Sequence, residues 1–132
     1  MITEQMKAGL QGVIPSPIST VSEDGNPNIS YISQVYYVDD HHVAISNQFF
    51  NKTMVNIHSV GAATVNITDP ATFHTWNLRL EYVRSENEGP LFDMMKEQLE
   101  VIASMSGMED VFVLNASEVF KIVEVIPQYG SN

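Results

Sequence analysis

The stretch from Phe73 to Arg84 constrains this chain more than any other. His74, Trp76, Leu78, Leu80 and Tyr82 alternate there with Thr75, Asn77, Arg79 and Glu81. A period of two puts the large apolar groups on one face of an extended strand and the polar groups on the other. Such a strand has to pair with neighbours and lay its apolar face on a core, so a sheet is required. One neighbour is close at hand. Ala62 to Thr68 precedes it across Asp69-Pro70-Ala71-Thr72, a turn in which proline supplies the fixed φ.

Further strands are expected upstream, because Ile18 to Val21, Ile29 to Val38 and Val43 to Ser46 are β-prone runs. Asp24-Gly25 and Asp39-Asp40 punctuate them as tight turns. Val111 to Leu114 and Val119 to Ile126 supply one or two more near the end of the chain. Three segments depart from this pattern. Thr3 is placed to cap a short helix over residues 3 to 10, with Met6 and Leu10 on one face, ended by Gly12, Pro15 and Pro17. Asn51 is a favoured N-cap for a helix to Ser59 bearing Met54, Ile57 and Val60 on its apolar side. From Pro90 to Met105 the period becomes helical, with Leu91, Met95, Leu99, Ile102 and Met105 as the stripe and Gly107 as the closing residue. The 132 residues suit one domain, 1–132. The expected class is mainly β with α insertions: six antiparallel strands in a small barrel or strongly curved sheet.

Charge narrows the partners. Lys and Arg total 6 against 16 Asp and Glu, a formal net charge of −10, which opposes association with nucleic acid or an anionic membrane surface. The absence of cysteine excludes a disulfide framework, thiolate catalysis and Cys-ligated metal. The opening MITEQMKAGLQG carries no basic patch followed by an apolar run, so the expected location is cytoplasmic. No Ser-His-Asp order, phosphate-binding glycine loop or His-Glu-x-x-His string occurs, and hydrolytic and zinc chemistry have no support. His41 and His42 are adjacent on a turn and point apart, so no metal site is expected. His58, near a helix end, suits the carbonyl pole of the dipole, and His74 shares a strand face with Trp76. Glu86, Glu88, Asp93, Glu97 and Glu100 form a solvated face along the long helix and the loop before it.

Chemistry concentrates instead in ISNQFFNKTMVNI, residues 45 to 57. A helix start offers unpaired N–H groups and the positive pole of the dipole. Ser46, Asn51, Lys52 and Thr53 would add two hydroxyls, an amide and a cation to such an anion cradle. The plainer reading has Asn51 capping the helix, Ser46 ending a strand and Lys52 solvated.

The order of motifs weighs on that choice. The run TVSEDGNPNISYISQVYYVDDHHVAISNQFFNKTMVNI contains Asp24-Gly25-Asn26-Pro27, then Asn28 to Ser33, then Ser46-Asn47, then Asn51-Lys52-Thr53. It resembles the N-terminal half of the pyridoxamine 5′-phosphate oxidase-like family, the FMN-binding split β-barrel proteins. VNITDPAT, RLEYVRSENEGPLF and ASMSGM continue the likeness, which spans about residues 12 to 126. The resemblance implies a six-stranded split β-barrel that forms a homodimer with FMN sites at the subunit interface. It implies phosphate contacts from Ser46, Asn51, Lys52 and Thr53, and flavin or ribityl contacts from Asn28, Ile29, Ser30, Tyr31 and Ser33, with Asn47 beside them. Trp76 is a core residue by its alternation, or a stacking partner for the flavin edge across the interface. Where the family pattern carries basic residues, this chain has Asn28, Ser33 and Thr53; each missing charge-assisted contact weakens phosphate binding by about 1–3 kcal/mol. The implied activity is FMN-dependent oxidoreduction of a small molecule. The alternative is a module that binds FMN or haem for storage, sensing or structure, without turnover.

Overall fold

The computed structural model of the protein describes residues 1–48, 51–105 and 113–130. The elements follow in the order α1 (Glu4–Leu10), β1 (Ser16–Val21), β2 (Pro27–Ile32), β3 (Tyr36–Asp39), β4 (His42–Asn47), α2 (Lys52–Val60), β5 (Ala62–Thr68), β6 (Thr75–Glu86), α3 (Pro90–Met105) and β7 (Ala116–Pro127). All strands join one antiparallel sheet in the order β2-β1-β5-β6-β7-β4-β3.

Where six strands were expected, the described residues form seven. The run Ile29 to Val38 divides into β2, which pairs with β1, and β3, which pairs with β4, at opposite edges of the sheet. The break is made by the end of α1. Val35 donates its N–H to the Leu10 carbonyl at 3.0 Å, and Gly12, at φ +79°, lies so close that an added Cβ would come within 1.8 Å of the Ser33 carbonyl oxygen. Only glycine combines that backbone angle with that approach.

Alternation along the central strands divides the core into two layers. Val43 and Ile45 of β4, with Phe120 and Ile122 of β7, join the main cluster, which also takes in Ile18, Val65, Ile67, Trp76, Leu78 and Leu80 from the other strands. Met6 and Leu10 of α1 and Met54 and Ile57 of α2 close this layer. Ala44 and Val119 face the other way and meet Met95 of α3 and Tyr36. Both short-helix caps form as expected: Thr3 Oγ1 accepts from Met6 N–H, and Asn51 Oδ1 accepts from Met54 N–H.

Several boundaries move. β6 begins at Thr75, not Phe73, because Phe73 adopts φ +61° in a turn bound back on Asp69. Val60 and Met105 fall outside the buried stripes, at 40% and 84% exposure, each as the last residue of its helix. Val113 and Leu114 lie outside any strand. The expectations for Gly107, Val111 and the Ile102 side chain lie outside the described residues, as do Phe49 and Phe50. Among the described residues, no helix is long and apolar enough to cross a membrane.

Candidate functional site

The end of β4 leads towards the start of α2, and α2 packs across β1 and β2. This brings the tail of β2 opposite the first turn of the helix. The cleft between them has a volume of about 250 Å³ and is lined by Ser30, Tyr31, Ile32, Ser33, Ser46, Gln48, Asn51, Thr53 and Met54. Within it, Thr53 Oγ1 accepts from Asn28 Nδ2 at 3.1 Å and lies 2.8 Å from Ser30 Oγ. Ser46 Oγ accepts from Gln48 Nε2 at 2.9 Å. Asn51 serves as the cap, and its carbonyl takes the Val55 N–H. The N–H groups of Lys52 and Thr53, in the first turn, have no intrahelical acceptor.

Six of the eleven residues singled out from sequence meet here: Ser30, Tyr31, Ser33, Ser46, Asn51 and Thr53. Asn28 stands behind Thr53 and is bonded to it. Lys52 is exposed and is not part of the lining. Ile29 is 71% exposed on the face of β2 opposite Asn28 and Ser30. Asn47 turns from the cleft towards Glu118. Trp76 lies in the main core on β6, three strands from β2, edge-on to His74. Ile32, Gln48 and Met54 complete the lining without having been singled out; their signal was adjacency to Ser33, Asn47 and Thr53.

A second polar centre was not anticipated. Glu118 is fully buried. Its Oε2 lies 2.8 Å from His58 Nε2, and its Oε1 accepts from Ser85 Oγ at 2.8 Å and Asn47 Nδ2 at 3.4 Å. The His58 ring also lies against Tyr82, tilted by 47° with centroids 5.3 Å apart. Burial, and after it the Glu118 carboxylate, pushes the Tyr82 phenol above its ordinary range. The available signal was positional: Glu118 occupies the interior face of β7 that Phe120 and Ile122 share. Ser85 and His58 both converge on the carboxylate, so this is not the Ser-to-His relay that activates a nucleophile.

The other histidines have local duties. Asp39 Oδ1 accepts the His41 N–H and lies 2.8 Å from His42 Nδ1, and these bonds, the His41 N–H first, hold the Asp39 carboxyl below its usual value. His74 Nδ1 lies 2.8 Å from Gln5 Nε2. Among the described residues, no three His, Asp or Glu side chains gather as a metal site.

The described residues thus define a mainly antiparallel β domain with three helices, in which a hydroxyl-lined cleft opens at the start of α2. The chain belongs to the pyridoxamine 5′-phosphate oxidase family, whose model matches residues 2–122. No curated protein sequence matches it. Among solved structures, it is similar to an FMN-binding protein from Syntrophomonas wolfei subsp. wolfei, at 21% identity and TM-score 0.78, over 98% of this chain and 89% of that one. It is also similar to HupZ of Group A Streptococcus, at 22% identity and TM-score 0.73, over 100% and 98%. HutZ of Vibrio cholerae, described as a haem storage protein, aligns at 14% identity and TM-score 0.59, over 98% and 93%. At these identities the likenesses establish the fold.

Proposed function

We propose that this protein is an FMN-binding flavoprotein of the oxidoreductase type that acts on a small molecule in the cytoplasm. The observation that carries the reading is the convergence of Ser30, Ser33, Ser46, Asn51 and Thr53 on one cleft at the start of α2. Their hydroxyl and amide groups suit a ribityl chain, and the unpaired first-turn N–H groups with the nearby Lys52 suit a terminal phosphate. When bound, the flavin supplies hydride or electron transfer. The chain's own residues bind it, orient it and exclude water, which agrees with a described lining that has no carboxylate, imidazole or amine side chain.

The cleft also supports a homodimer. Its volume of about 250 Å³ falls below the roughly 300–1,000 Å³ of small-molecule sites, so one copy gives an incomplete enclosure. Ile29 and Tyr31 stand 71% and 72% exposed on the edge strand β2 beside it. A second copy laid against this edge covers that apolar surface and adds the missing wall.

The rival reading is a non-catalytic module holding FMN or haem. One observation favours it: the described lining has no charged side chain, whether to grip a phosphate or to handle a proton. The visible spectrum of the purified protein decides. Flavin absorption, followed by bleaching with NADH or NADPH, is the expected result. A Soret band would favour the rival, and a colourless protein that ignores added FMN would remove the flavin reading.

A further inference from the structure

We infer that the cleft is built for a neutral, polyhydroxylated ligand end, so that it holds riboflavin nearly as well as FMN. The inference rests on the flavin reading above and specifies which part of the ligand provides affinity.

Three observations carry it. First, every lysine and arginine of the chain is among the described residues, and none lines the cleft. Lys7 pairs with Glu4, Arg79 with Glu124 and Arg84 with Glu86. Lys96 is exposed on α3, and Lys121 is exposed on β7 opposite Glu81 and His42. Lys52 alone adjoins the site.

Second, the side chains of the lining present acceptors as well as donors. A phosphate dianion accepts hydrogen bonds and donates none, whereas a polyol does both. Between them Thr53 and Ser30 have two hydroxyl hydrogens, and the 2.8 Å contact joining them uses one. Asn28 spends an amide hydrogen on Thr53, and Gln48 spends one on Ser46. Asn51 Oδ1 and Ser46 Oγ are already acceptors. The side chains of the lining thus mix donors with lone pairs, as hydroxyl groups require.

Third, the formal net charge of −10 sets a repulsive field against any anion. In solution that repulsion is screened over about 8–10 Å at ordinary ionic strength, so added salt favours approach of an anion to this protein.

Fluorescence titration of the purified chain with riboflavin and with FMN, each at about 20 and 300 mM salt, tests the inference. The two dissociation constants are expected to agree within about tenfold, with FMN binding no weaker at the higher salt. Ser33→Ala, at an exposed position, is expected to weaken both ligands by the same factor. A preference for FMN beyond tenfold, FMN binding that weakens with salt, or a Ser33→Ala effect confined to FMN would each overturn the inference and leave the flavin reading standing. Binding of neither flavin would overturn both.

Discussion

The buried carboxylate of Glu118 offers the sharpest test of how the site is held. It takes donors from three other elements: His58 of α2, Ser85 of β6 and Asn47 of β4. His58→Ala removes the α2 donor and leaves the carboxyl group, at 0% exposure, to Ser85, Asn47 and the neighbouring Tyr82 phenol. Breaking a wholly buried pair costs about 3–5 kcal/mol. Here the imidazole is 44% exposed, so water reaches the vacated side, and the expectation falls to about 2 kcal/mol, the range of one hydrogen bond to a charged group. For a domain of this size that corresponds to a fall in Tm of about 6–10 °C. The decisive arm is the same change in a Glu118→Gln background. A neutral amide left without its partner costs less, so His58→Ala should there cost about 1 kcal/mol less than in the wild type. Urea unfolding of the four proteins at one protein concentration measures the cycle. Equal costs of His58→Ala in both backgrounds would refute the claim that the pair is coupled.

Two other changes probe separate features. Lys52→Ala removes the one cation beside the cleft and should weaken FMN about two- to fivefold, the scale of an exposed charge at a helix start, while leaving riboflavin unchanged; equilibrium titration reads both, and an unchanged FMN affinity would show that the phosphate does not sit at this end of α2. Burial pushes the Tyr36 phenol up to about 12. The neutral phenol is thus favoured by the fold: the stability it contributes is complete below about pH 10 and drains as pH rises through about 12. Tyr36→Phe should therefore lose less stability than the wild type between those values in denaturant titrations, and identical alkaline profiles would contradict the assignment.

The sequence revealed the strands whose cause is local. The alternation from Trp76 to Tyr82 reads directly as one buried face, with Trp76, Leu78 and Leu80 inside and Tyr82 half-buried. The split of Ile29 to Val38 was not legible, because its residues are β-prone throughout. It is imposed by Leu10 and Gly12, some twenty residues earlier. The cleft was legible for a related reason. Ser30 and Ser33 come from one short string and Ser46, Asn51 and Thr53 from another, so the recognised motif order brought them together. Glu118 escaped because its partner His58 is 60 positions away, and no local period encodes a pairing of that kind.

What the two polar centres share is α2. Its start is tied to β2 through Thr53, Asn28 and Ser30, its middle to β1 through the 3.1 Å bond from Asn56 Nδ2 to Thr20 Oγ1, and its end to β7 through His58 and Glu118. Apolar contacts through Met54 and Ile57 supply burial, but such contacts are non-directional and tolerate small rotations of a helix. Hydrogen bonds to three different strands do not, because their strength falls steeply with misalignment. The nine-residue helix is thereby held in one rotational setting, and it is this setting that aims the first-turn N–H groups and the Asn51 and Thr53 side chains at the tail of β2. Loosening the end at His58 should therefore reach the cleft through the helix itself, although His58 does not line it.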